Sequence, residues 1–153
     1  MTARTIALCL GLLALALISG ALGFQYIAHL PPCEMCHWQR WPLIAAAIVA
    51  IPGAVALKGD ARLLAGATIV LVAISGAIGF YQAGVEWHVF PGPAACTGAF
   101  HPFTGMGDLN APGQVRCDAA AWRLFGISLA GYNAILSLGA AFFGAAMLAR
   151  KAA

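Results

Sequence analysis

Four blocks of nearly unbroken apolar residues constrain this chain more than any other feature. They run from about Ile6 to Ala28, Trp41 to Leu57, Leu63 to Ala83 and Leu124 to Leu148. A bilayer core of about 30 Å takes about 20 helical residues, so each block is long enough, or nearly so, to cross it. Charged residues make up 8 % of the chain, too few to keep a soluble surface dispersed. Arg4 and Ser19-Gly20-Ala21 lend the first block the look of a signal peptide. Its apolar run continues through Leu22, Phe24, Tyr26 and Ile27, beyond a signal core. The expectation is an all-α membrane protein, a four-transmembrane-helix bundle forming one membrane domain over residues 1–153. A net charge of +3 makes no case for a nucleic-acid partner.

The connecting segments set boundaries and orientation. Pro31 and Pro32 should end the first helix, Pro42 suits the first turn of the second, and Pro52-Gly53 should kink or shorten its far end. Lys58-Gly59-Asp60-Ala61-Arg62 reads as a tight polar turn. Arg4, Lys58, Arg62, Arg150 and Lys151 fall on one side, which the positive-inside rule makes cytoplasmic together with both termini. Loops of about 29–40 and 84–123 then face outward, along with Trp38, Trp41, Trp87 and Trp122 as half of an aromatic belt. Ser19/Gly23, Ser75/Gly79 and Ala140/Gly144 offer small-residue pairs for close helix approach in lipid.

Both outward loops carry cysteines: Cys33 and Cys36 in the first, Cys96 and Cys117 in the second. Four such cysteines suggest two disulfides, or a redox or metal site, in an oxidising compartment. Cys33-Glu34-Met35-Cys36 can close a small reducible ring at the mouth of a helix, where the helix terminus and a cation favour a thiolate. Arg40, four residues after Cys36, is that cation, and Cys36 the expected thiolate. Cys96 and Cys117 alone would read as a structural bridge, but a C-x-x-C pair on the same membrane face allows disulfide exchange between pairs. Three other readings stay open. Cys33-x-x-Cys36-His37 matches c-type haem attachment, with Met106, His88 or His101 as distal ligand, but leaves Cys96 and Cys117 unexplained. A four-cysteine zinc site lacks the close spacing of a second knuckle, and two static disulfides would suit a structural tetraspan protein. Cys9, inside the first block, reads as a small buried residue. Glu86 and His88 lie where an amphipathic acceptor, or plain interfacial polar groups, would sit.

Pro32-Cys33-Glu34-Met35-Cys36, Gln39-Arg40-Trp41-Pro42, Ala83-Gly84-Val85-Glu86-Trp87, Pro91-Gly92-Pro93-Ala94-Ala95-Cys96-Thr97-Gly98 and Cys117 together resemble the bacterial disulfide bond formation protein B (DsbB) family. The resemblance covers nearly the whole chain. It implies an inner-membrane protein-thiol oxidase that reoxidises a soluble periplasmic DsbA-type partner and passes electrons to a membrane quinone, ubiquinone or menaquinone. It also implies roles: Cys33 and Cys36 as the quinone-proximal pair, Arg40 as a quinone contact, Cys96 as the sulfur attacked by the partner, and Cys117 as the return toward Cys33. Family members often have a histidine near the outer end of the third helix. Here that stretch reads Tyr81-Gln82-Ala83-Gly84, and His88, further on, is the candidate for the contact. The loop between Cys96 and Cys117 shows little helix-forming pattern, and Pro91–Ala95 should be extended.

Overall fold

A computed structural model describes residues 1–56, 59–97 and 116–150. Lys58, Lys151 and the 98–115 part of the cysteine loop, with His101 and Met106, lie outside the described residues. Among the described residues there are four long helices: α1 (Ala3–Tyr26), α2 (Glu34–Val55), α3 (Ala61–Glu86) and, after a short turn α4 (Ala94–Thr97) and a small hairpin, α5 (Leu129–Ala149). Of these, α1, α3 and α5 are long and apolar enough to cross a membrane. A third or less of each such span is buried in the protein, and Val70, Phe142 and Phe143 point outward, as helices solvated by lipid should.

Each long helix starts on a side-chain cap. Thr2, Cys33, Asp60 and Ser128 have extended backbones, and their side chains accept from amides of the first turn. These caps move several expected boundaries. With Cys33 as cap, α2 begins at Glu34 rather than Trp41, so Cys36 and Arg40 lie on regular helix and Pro42 falls inside it. Pro42 cannot bond the Trp38 carbonyl, and one residue on, the Ser75 hydroxyl of α3 donates to the Gln39 carbonyl at 2.9 Å. Asp60 caps α3 through the Arg62 and Leu63 amides, so the polar turn ends at Asp60. The expected helix start at Leu124 is replaced by a hairpin: β1 (Arg123–Leu124) pairs antiparallel with β2 (Ile127–Ser128). Phe125 and Gly126 turn it with φ of 49° and 81°, the left-handed pair that a two-residue hairpin needs. Helix α5 follows at Leu129.

Helix α3 packs against α1, α2 and α5. A Cβ on Gly79 would lie 2.9 Å from the Ala130 carbonyl, and one on Gly76 would lie 2.9 Å from the Leu138 amide, so only glycine permits this approach to α5. Gly144 likewise faces Ile69 and Leu10, but Gly23 faces nothing and Ser19 is exposed, so that pair joins no helices. Cys9 is also exposed rather than buried: its face of α1 turns away from the bundle. The apolar core, from Ile6, Leu10, Leu43, Ala46 and Val72, ends below a layer of sulfur and polar groups.

Candidate active site

The sulfur layer is built on the start of α2. Cys33 is the cap itself, with its sulfur accepting the Cys36 amide at 3.2 Å, and it is joined to Cys36 in a disulfide with Cα atoms 5.1 Å apart. Unpaired amides of the first turn place partial positive charge at both sulfurs, which favours a thiolate when the bond opens. Cys96, in the single turn α4, is bonded to Cys117 with Cα atoms 5.4 Å apart, and the Cys117 amide donates to the Cys96 carbonyl at 3.0 Å. Cys33, Met35, Cys96 and Cys117 form one buried cluster with Cys36 at its edge. The fold thus brings both cysteine pairs together. Segment 91–95 is not wholly extended, since Thr97 turns back on the Pro93 carbonyl through its amide (2.9 Å) and hydroxyl (2.6 Å).

A chain of amides runs from the bundle interior to the sulfurs. Ser137 donates to Asn133 (2.9 Å), Asn133 donates to Gln39 (2.7 Å), and Gln39 donates to the Gln82 carbonyl oxygen. That leaves the Gln82 amide nitrogen to donate to Cys33 Sγ (3.3 Å), Cys36 Sγ (3.5 Å) and Glu86 Oε1 (3.2 Å). Each link fixes the orientation of the next, and the donor end faces the sulfurs, where it stabilises negative charge. The sequence does carry a signal for these residues: Gln82/Glu86 and Asn133/Ser137 are polar pairs spaced four apart in apolar helices, a pattern that is costly in lipid without a purpose.

Two cavities adjoin Cys36. The larger, about 240 Å³, lies between α1, α2 and α5; it is mostly apolar, and Phe24, Cys36, Gln39, Arg40, Tyr132 and Asn133 are in its wall. Arg40 is clasped to α1, donating to the Gln25 side chain and, at 3.4 Å, to the Ala21 carbonyl. The smaller, about 50 Å³, is lined by Cys33, Cys36, Gln82, Glu86, Arg116 and Ser128 among others. His88 lines neither. It is exposed, and its left-handed backbone (φ 59°) ends α3, where the Val89 amide returns to the Gly84 carbonyl.

A family model described as "Disulfide bond formation protein DsbB" matches residues 3–147. The chain belongs to the DsbB family. A Disulfide bond formation protein B of a Polaromonas species is 29 % identical over 161 aligned positions, covering 99 % of this chain and 94 % of that relative. One from Aromatoleum aromaticum is 29 % identical over 160 positions, covering 96 % and 94 %. Disulfide bond formation protein B 1 of Pseudomonas syringae is 41 % identical over 69 positions, 45 % of this chain and 40 % of its own. No solved structure matches. As a DsbB-family chain with two cysteine pairs, it is a multi-pass membrane protein of disulfide bond formation. In this oxidised arrangement Cys33 is bonded to Cys36 and Cys96 to Cys117, so the two bridges use all four loop cysteines.

Proposed function

We propose that this protein reoxidises a soluble periplasmic thiol oxidase of the DsbA type and passes the two electrons to a quinone in the bilayer. The observation carrying this reading is the sulfur layer: one disulfide packs on the other, and Cys36 of the inner pair opens onto an apolar cavity that also holds Arg40. A quinone suits that cavity by chemistry: the lining is mostly apolar, as a ring requires, and the Arg40 guanidinium would donate to a ring oxygen. When bound, it supplies an acceptor for two electrons and two protons. Residues of the chain do the rest. The α2 amides and the Gln82 amide hold negative charge on the inner sulfurs, and Arg40 holds charge in the wall of the larger cavity. Cys96 is the sulfur attacked by the partner, and Cys117, once released, attacks Cys33. Because Cys96 and Cys117 are both buried, the partner must lift the 91–97 segment to reach them. His88 is exposed and lines neither cavity, so this path does not run through it.

All four long helices, α2 included, are taken to cross the inner membrane, with both termini cytoplasmic and both cysteine loops periplasmic. Arg4, Arg62 and Arg150 lie at the ends of α1, α3 and α5 away from the sulfur layer, which supports this orientation. An impermeant amine reagent should leave Lys58 unlabelled in intact cells; labelling from outside would invert the topology.

The deciding experiment is anaerobic incubation of the purified protein with reduced partner and ubiquinone or menaquinone, followed by absorbance. Quinol should form as partner disulfide appears. Partner oxidation without quinol, or neither, removes the reading.

A further inference from the structure

We propose that the Glu86 carboxyl gives and takes the protons that move when the Cys33–Cys36 bond opens and closes. Glu86 is 6 % exposed, and among the described residues its Oε2 has no hydrogen-bond partner. A buried carboxylate oxygen left unpaired is costly unless it serves a purpose. Its other oxygen accepts from the Gln82 amide, the group that also donates to both inner sulfurs. Glu86 and both sulfurs also share the wall of the 50 Å³ cavity, which is roomy enough for a water to link them.

Among the described residues, the charged groups around Glu86 are few. Arg116 lines the same cavity and is paired with Asp118. Arg123 of β1 donates to the Glu86 backbone carbonyl at 3.4 Å. From α2 the wall receives Cys33 and Cys36, from the start of α5 the Ser128 hydroxyl caps the helix and also faces the Glu86 carboxyl, and His88, two residues on, is exposed.

This inference rests on the relay proposed above. In the exchange step, the Cys96/Cys117 dithiol gives two electrons to the Cys33–Cys36 disulfide. The Cys96–Cys117 bond forms, the Cys33–Cys36 bond breaks, two protons leave the first pair and two arrive on the second. The Glu86 carboxylate takes the proton of an attacking thiol, and its carboxyl returns that proton to the sulfur released from the inner pair; the second displacement repeats the transfer. When a thiolate from solution opens the inner bond instead, no thiol proton reaches Glu86 first, so the step draws on Glu86 that is already protonated, and the help it gives declines as pH rises through its ionisation.

The test needs no quinone. Oxidised wild-type, Glu86→Gln and Glu86→Asp proteins in detergent are reduced with dithiothreitol across a pH series. Timed alkylation and peptide mapping then read the opening of each pair separately. In Glu86→Gln, opening of Cys33–Cys36 should slow about 100-fold and lose the limb set by carboxyl ionisation, while Cys96–Cys117 opens as before. Glu86→Asp should keep the limb at a reduced rate. Three superimposed pH profiles, or Glu86→Asp and Glu86→Gln equally slow with the limb retained, would overturn the proposal. Failure of the relay itself looks different: wild type would open both pairs with its pH limb intact yet form no quinol.

Discussion

The two disulfides of this protein lie against each other but are held by opposite means. Cys33 and Cys36 are 3 apart, on the first turn of α2, and take hydrogen bonds from a backbone amide and from Gln82. Cys96 and Cys117 are 21 apart, joined from a single helical turn to an irregular segment through one backbone bond besides the sulfurs. Chain entropy credits closure of the long loop with about 3.4 kcal/mol and of the short ring with about 1.9 kcal/mol. Opening the outer pair thus frees a loop, whereas opening the inner pair moves little backbone and changes mainly charge. On the function proposed above, the inner pair exchanges with the membrane acceptor, and the outer with a partner that must first displace a segment.

Variants can break this contrast, the largest effects at the sulfurs. Cys33→Ser and Cys36→Ser should each abolish quinol formation. Cys117→Ser should accumulate a mixed disulfide through Cys96 with a partner lacking its own resolving cysteine, and Cys96→Ser much less. Non-reducing electrophoresis and peptide mapping decide it; a major adduct on Cys117 or Cys33 would reverse the order of the relay.

Next comes Arg40. Arg40→Ala should lower kcat/KM for quinone about 100-fold while Tm stays near wild type, because the guanidinium lines the cavity and is not part of the apolar core. Arg40→Lys should fall between, keeping the charge without the planar fork. Unchanged quinone kinetics in Arg40→Ala would take Arg40 out of the site.

A smaller shift is expected from Gln82→Met, which removes the amide that donates to both inner sulfurs. A hydrogen bond to a charged group contributes about 1.5 kcal/mol, or about tenfold in an equilibrium. A glutathione titration should find the inner pair that much harder to reduce, with the outer pair unmoved. Equal shifts in both pairs would mean that Gln82 supports the packing of the whole layer.

The smallest effect belongs to the outer rim. The Arg116 guanidinium holds the Asp118 carboxyl below the usual carboxylate range. A lowered carboxylate adds stability above its ordinary pKa and loses it as pH falls through the lowered value. This pair is exposed and well screened, so Asp118→Asn should leave thermal unfolding at neutral pH unchanged. A clear loss would show that Arg116 is a fixed part of the cavity beside Cys33 and Cys36.

The sequence by itself determined the helical membrane architecture, the family and the identity of the four loop cysteines. Apolar block length and cysteine spacing are local properties, readable without knowing what packs on what. Helix starts were less legible: Cys33 as an N-cap and Phe125-Gly126 as a hairpin turn depend on backbone angles that an apolar run conceals. Only the tertiary structure decided that the two disulfides pack together, that Cys9 faces outward, that His88 ends a helix away from both cavities, and that Gln82 and Glu86 stand at the sulfurs. The amide chain leading to the sulfurs joins residues 43 and 94 positions apart in sequence, as in Gln39–Gln82 and Asn133–Gln39. A polar side chain inside an apolar helix shows that some partner exists; which partner depends on how the helices turn against one another, and close approach at Gly76 and Gly79 sets that for α3 and α5.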